Sequence, residues 1–231
     1  MHLNAGIRHY LSLTLLLLSS SAFAQESMCY GTTSNGRLEG GVQLPDEGVN
    51  FVSYSDTAAL LGRTYVHSKV KRIILSAYKM LETEAPLKVF KYAETGFKKG
   101  GQFKPHKTHR NGLSVDFMVP VVNSKGNSVH LPTHYFNQLG YAIEFDKQGR
   151  YEAYTIDFEA MAAHIVALHK AAHKHGAGLW RVIFAPKLQS YLFKTQYGTY
   201  LQKHIQFSKK PSWVRHDEHY HVDFEVKCKA N

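Results

Sequence analysis

His216-Asp217-Glu218-His219-Tyr220-His221-Val222-Asp223-Phe224 is the stretch on which the fold turns, and from His219 onward it alternates strictly. Side chains two apart share one face of an extended strand. His219, His221 and Asp223 therefore fall on one side, and Tyr220, Val222 and Phe224 on the other. A strand that buries an aromatic-aliphatic face and aligns two imidazoles opposite it is suited to holding a metal. The same pattern also fits a half-buried strand whose polar side merely carries histidines. Ligands elsewhere in the chain decide between the two.

They are found upstream, in His106-Lys107-Thr108-His109-Arg110-Asn111-Gly112-Leu113-Ser114-Val115-Asp116-Phe117. Asn111-Gly112 makes a turn, and Leu113–Val119 alternates as a second strand. Leu113, Val115, Phe117 and Val119 face one way; Ser114, Asp116 and Met118 face the other. An ionised carboxylate in such a setting is costly unless a cation or hydrogen-bond donors meet it. Asp116 is therefore the most informative acid in the sequence.

The remaining segments frame these two strands. Cys29–Asn50 is rich in Gly, Thr, Ser, Asn and Pro and reads as an irregular leader. Ser55-Asp56 precedes a short helical turn over Thr57–Gly62. Val66, Val70, Ile73, Ile74, Ala77, Tyr78 and Leu81 recur at helical spacing, which predicts an amphipathic helix from Thr64 to Glu84, stopped by Pro86. His67 is expected on its surface. Leu87–Ala93 reads as a strand, and Gly96–Pro105 as a flexible basic loop. Pro120–Leu139 is a polar insertion carrying His130 and His134. Tyr141–Phe145 and Arg150–Ile156 are expected to form a hairpin around Asp146–Gly149. Asp157 caps a helix that runs to His175 and stops at Gly176. His169 and His173 stand one turn apart on that helix; with no third ligand nearby in sequence, a solvated face is the expectation. Trp180–Ala185 is a strand, Lys187–His204 a helix, and Phe207–Val214 a loop. Strands around ligand-bearing positions, with helices before and between them, make an α+β fold: a small, mainly antiparallel sheet carrying the metal site and flanked by helices.

The chain has 231 residues and a formal net charge of +10. Arg8 without an acid, the leucine-rich run Tyr10–Ser21 and Ala22-Phe23-Ala24 read as a signal peptide over residues 1–24, too short for a membrane span. Residues 25–231 then form one domain, exported to the periplasm or beyond. Glu26-Ser27-Met28 lacks the context of a lipid anchor before Cys29, so no membrane anchor is expected. Cys29 and Cys228 are the only cysteines, and in an oxidising compartment they most simply pair. The basic balance favours anionic partners. An export signal argues against intracellular nucleic acid and leaves a membrane surface or an acidic cell-wall polymer.

Three ligands drawn from His, Asp or Glu, with a fourth position kept for water, characterise a catalytic zinc site. His109, Asp116 and His221 supply such a set, with Gly112 bending the chain so that His109 returns towards Asp116. His219 shares the face of His221 but is displaced along the strand, where it can act on water instead of ligating.

These residues resemble a known family. Gly100-Gly101, His106-x-x-His109-x-x-Gly112-Leu113-x-Val115-Asp116 and His216-x-x-His219-x-His221 are similar to the motifs of penicillin-insensitive murein endopeptidases, zinc peptidases related to lysostaphin-type and D-Ala-D-Ala enzymes. The resemblance implies zinc ligation by His109, Asp116 and His221, with His219 as the catalytic histidine. His216 and His106 would be flanking residues, positioning substrate or joining the coordination shell, and His216 is also a candidate for stabilising an oxyanion. Asp217, Glu218 and Asp223 are the acids available to orient these imidazoles. The implied substrate is peptidoglycan, with a D-Ala–diaminopimelate cross-link as the scissile bond. Rival readings are a D-Ala-D-Ala carboxypeptidase, a secreted metal-dependent nuclease and a non-catalytic zinc-containing wall-binding module. A nuclease would be expected to carry an asparagine-rich or paired-acid metal site, which the sequence lacks.

Overall fold

The computed structural model describes residues 26–212 and 214–231; the expected signal segment 1–24 and Trp213 lie outside them. The centre is a five-stranded sheet made of β1 (Phe51–Ser53), β2 (Phe90–Tyr92), β3 (Ser114–Met118), β4 (Gly178–Ile183) and β5 (His219–Glu225). Its spatial order is β4-β5-β3-β2-β1. All neighbours run antiparallel except the β1–β2 pair. The architecture is α+β, as the sequence pattern implies.

The two alternating stretches lie side by side at the middle of this sheet. Their register pairs His221 with Asp116, His219 with Met118, Tyr220 with Phe117 and Asp223 with Ser114. Side chains opposite one another in an antiparallel pair share a face. The register thus delivers Asp116 to the two imidazoles and sends Phe117, Tyr220, Val115 and Val222 to the other side.

That other side is covered by helices. Beside α1 (Asp56–Leu60), capped by Ser55, the long helices are α2 (Ser68–Glu84) and α3 (Phe158–Lys174). The predicted apolar stripe of α2, from Val70 to Leu81, is buried. Asp157 caps α3, its carboxylate accepting from the Ala160 amide at 2.9 Å. Alanines at positions 160, 162, 163, 167, 171 and 172 favour the helix and allow close approach to α2. His164 of α3 is wedged between the helix layer and the sheet. It stacks on Tyr78 with centroids 5.1 Å apart, meets Phe117 edge-on at 4.8 Å and hydrogen-bonds the Tyr220 hydroxyl.

Several local expectations change. The 29–50 segment is more ordered than its composition suggests, because Met28–Gly31 and Gly36–Glu39 form a hairpin and Val42–Gln43 pairs with Tyr65–Val66. That pairing starts α2 four residues later than predicted and makes His67 its N-cap, with Nδ1 accepting from the Lys69 amide. His67 is buried, not on the surface. The predicted Tyr141–Phe145 strand is absent among the described residues. The Phe145 amide is taken by Asp217 Oδ2 at 3.0 Å, and the hairpin closes within Arg150–Tyr151 and Tyr154–Ile156. The helix expected over Lys187–His204 is two: α4 (Pro186–Leu192) and α5 (Gly198–His204). Cys29 and Cys228 form a disulfide with their Cα atoms 4.8 Å apart. No helix among the described residues is long and apolar enough to cross a membrane.

Candidate active site

Loops and β-strands bring the predicted residues together on the sheet face away from α2 and α3. Asp116 is at the centre and fully buried. Its Oδ1 lies 2.8 Å from His221 Nδ1 and 3.3 Å from His109 Nε2. Its Oδ2 accepts from the Tyr141 hydroxyl at 3.0 Å, with His219 Nε2 and His106 Nδ1 each 3.9 Å away. His106, His109 and Asp116 offer ligand atoms that all lie within 4.8 Å of one another. His221 joins the same centre through Asp116, and its ring centroid is 4.8 Å from that of His109.

The loop before β3 is shaped for this purpose. His109 itself has φ 66° and Gly112 has φ 76°, conformations that cost L-residues energy and favour glycine. A Cβ on Gly112 would also stand 2.7 Å from the His67 amide nitrogen and 2.6 Å from Leu38 Cδ2. The Gly112 carbonyl accepts from that same His67 amide at 2.9 Å, so the helix start holds the ligand loop in place.

The donor set fits a cation. His109 Nδ1 faces the Thr95 carbonyl at 3.0 Å and must carry the hydrogen there. Its Nε2 is buried without a hydrogen-bond partner. Burial holds the His109 pKa below the usual imidazole value despite Asp116, so Nε2 presents a lone pair to a carboxylate oxygen. Two lone pairs facing each other in a buried site are repulsive unless a cation stands between them. His221 stands between two carboxylates. Its Nε2 lies 2.8 Å from Asp223 Oδ1, whose carboxylate also receives the Ser114 hydroxyl at 2.6 Å and Arg181 Nε at 2.6 Å. Burial opposes charging His221, yet the carboxylates of Asp223 and Asp116 outweigh it and lift the pKa to about 10. A metal ion between Nδ1 and Asp116 would take the place of that proton, leaving a carboxylate–histidine–metal arrangement.

The three acids that the sequence left unranked now have separate partners. Glu218 Oε1 receives His219 Nδ1 at 2.8 Å, and Asp223 serves His221. Asp217 takes the Phe145 amide and faces Lys187 Nζ at 3.5 Å, away from the imidazoles. His216 donates from Nδ1 to the Val214 carbonyl at 3.0 Å, and its ring lies 4.5 Å from that of His219. Burial and the neighbouring His219 push its pKa down to about 3, so the ring is neutral and its Nε2 is an acceptor.

Two contributors escaped the sequence reading. Glu94 is buried and hydrogen-bonds His106 Nε2, Arg63 Nε and, at 3.0 Å, the Tyr54 hydroxyl. Burial works to raise its pKa, but the hydrogen bonds from His106 and Arg63 win and bring it to about 2. An acid directly following the Leu87–Ala93 strand was the one available signal. Tyr141, the donor to Asp116, gives none, because the Tyr141–Phe145 pattern predicts a strand and carries no motif of the site. Around these groups opens a cleft of about 570 Å³, lined by Tyr54, Glu94, His106, Tyr141, Arg215 and His219 among others. A smaller one of about 220 Å³ shares Val214 and Arg215 with it and is also lined by His216 and Pro186.

A comparison with curated proteins returned no match. The model of one protein family, described as penicillin-insensitive murein endopeptidase, matches residues 29–231, a span that contains both strands and every histidine and acid of the centre just described. The chain therefore belongs to the penicillin-insensitive murein endopeptidase family, a family of peptidases that act on the cell wall.

Proposed function

We propose that the protein is an exported, zinc-dependent endopeptidase that hydrolyses peptide cross-links of peptidoglycan between D-Ala and diaminopimelate. The observation that carries this reading is the unpartnered, buried lone pair of His109 Nε2 facing Asp116 Oδ1 beside His221 Nδ1. His109, Asp116 and His221 hold the zinc. His106, whose Nε2–H is committed to Glu94, has Nδ1 free to join the shell or to orient substrate. Zinc in such a site supplies Lewis-acid polarisation of a carbonyl and a water of lowered pKa.

The chain's own groups do the rest. His219 gives its Nδ1 hydrogen to Glu218, which leaves Nε2 as a base turned towards Asp116. It removes a proton from the attacking water and returns it to the departing amine nitrogen as the C–N bond breaks. His216, neutral and with Nδ1–H given to a carbonyl, is an acceptor on its free side. That supports holding a substrate N–H, and disfavours donation to an oxyanion. Arg215 borders both clefts and can meet a carboxylate of the stem peptide. Two clefts that share Val214 and Arg215 favour a substrate that continues past the scissile bond, hence an endopeptidase over a carboxypeptidase.

The test is mass spectrometry of muropeptides after digestion of purified sacculi. Cross-linked dimers should convert to monomers that retain D-Ala. Release of free D-Ala alone would favour the carboxypeptidase, and undigested sacculi beside nicked DNA would favour a nuclease.

A further inference from the structure

On the opposite side of the sheet, α3 and α5 bring together histidines that the reaction does not use. His169 and His173 are one turn apart on α3, and their Nε2 atoms are 3.1 Å from each other. His169 is buried, while His173 is exposed. The other nitrogen of His169, Nδ1, lies 2.8 Å from the Tyr200 hydroxyl on α5. His204, one helical turn beyond Tyr200, is exposed and rests its ring on Tyr200 at 4.5 Å between centroids. Its ring centroid is 5.8 Å from that of His169.

Two features set this cluster apart from histidines scattered on a helix. The spacing comes first. Metal–imidazole bonds of about 2.0–2.1 Å in tetrahedral geometry place neighbouring nitrogens about 3.3 Å apart, and the observed pair is within a few tenths of that. The second feature is the Tyr200 hydroxyl. A metal-binding histidine characteristically gives its other N–H to a nearby acceptor, which fixes the tautomer and aims the free nitrogen. In the tautomer that gives Nδ1–H to the Tyr200 hydroxyl, His169 Nε2 carries a lone pair directed at His173 Nε2. Without a metal, His173 must use its own N–H to fill that gap.

We propose that His169 and His173 chelate a divalent transition-metal ion on the α3–α5 face, with His204 turning in as the third ligand. The three imidazoles form a site selective for borderline metals, taking Cu²⁺ ahead of Ni²⁺ and Zn²⁺ and leaving Mg²⁺ and Ca²⁺ unbound. The bound ion ties α5 to α3. Because the helix layer is separated from Asp116 by the sheet itself, the site is independent of the catalytic centre.

Untagged protein, first given one equivalent of ZnCl2, is titrated with CuCl2 by calorimetry, and bound metal is counted by mass spectrometry. Wild type should bind a further equivalent of copper, with paramagnetic broadening of the His169 and His173 imidazole signals in NMR. His173→Gln and His204→Gln, both exposed positions, should each weaken that equivalent by at least about tenfold and leave muropeptide release unchanged. Asp116→Asn should retain the copper equivalent, which separates this site from the catalytic one. Absence of the equivalent in wild type, or wild-type copper affinity in either glutamine variant, overturns the proposal.

Discussion

His109 Nε2 and Asp116 Oδ1 face each other at 3.3 Å with no hydrogen bond between them, while the other nitrogen of His109 is committed to the Thr95 carbonyl. A neutral amide in place of the carboxylate would remove the charge that makes a cation necessary there. Asp116→Asn is therefore expected to lose tightly held zinc and to lower sacculus digestion by about a hundredfold or more. Retention of one zinc equivalent at wild-type affinity, read by elemental analysis after dialysis, would reject the ligand assignment.

Glu218 fixes which nitrogen of His219 bears the hydrogen, at 2.8 Å. Glu218→Gln preserves the shape but can donate to His219 Nδ1 and turn the tautomer round. A fall of about 10–100-fold in kcat is expected, with KM little changed and the acid limb of the pH–rate profile displaced. His219→Ala should cost more, about 10²–10⁴-fold. If both variants changed KM alone, the pair would be a binding element and not the base.

How far these residues could be read from sequence depended on whether a local pattern marked them. Alternation over Leu113–Val119 and over His219–Phe224 encodes a strand's two faces locally, so the sheet centre and the Asp116–His221 partnership were legible. The same holds for Asp157 and Gly176, whose capping chemistry acts within one turn. Glu94 and Tyr141 were not legible, because neither lies in an alternating stretch that marks a face: Glu94 follows the end of β2 and Tyr141 lies outside any strand, and only the fold brings them to His106 and Asp116. His67 was misplaced for a related reason. Its helical spacing is real, but the Tyr65–Val66 pairing with Val42–Gln43 moves the start of α2 onto it. Likewise, the helix expected over Lys187–His204 is interrupted between Leu192 and Gly198, where Thr195 turns its hydroxyl back to the Leu192 carbonyl at 2.7 Å.

His164 provides a pH probe on the opposite face of the sheet from Asp116. Burial pushes its pKa from 6.5 down to about 3. The unfolded chain therefore binds a proton between those values that the folded chain refuses, and stability falls as pH drops below about 6.5. From pH 7 to pH 5 this one group should remove about 2 kcal/mol. His164→Phe keeps a ring against Tyr78 and Phe117, so urea denaturation at the two pH values should show that share of the loss abolished. An unchanged pH slope in the variant would contradict the assignment.

The disulfide spans a sequence separation of 199 residues. Closing a loop of that size contributes about 5 kcal/mol in the chain-entropy model. Cys228→Ser should lower the unfolding free energy by several kcal/mol and loosen β5, which ends three residues before Cys228. Equal denaturation midpoints for oxidised and reduced protein would show that the bond is not stabilising.

Everything between Cys29 and Cys228 is, in covalent terms, a ring. The Cys228 branch is held to the hairpin by a hydrogen bond from the Gly31 amide to the Lys229 carbonyl at 2.9 Å as well as by sulfur. A single proteolytic cut inside that ring, for example in the exposed turn at residues 124–127, opens the circle without dividing the molecule. The halves bearing Asp116 and His221 stay tethered, and their pairing across β3 and β5 is free to re-form. One nick would be survivable, and a second cut or a reductant would be needed to separate the two strands of the centre.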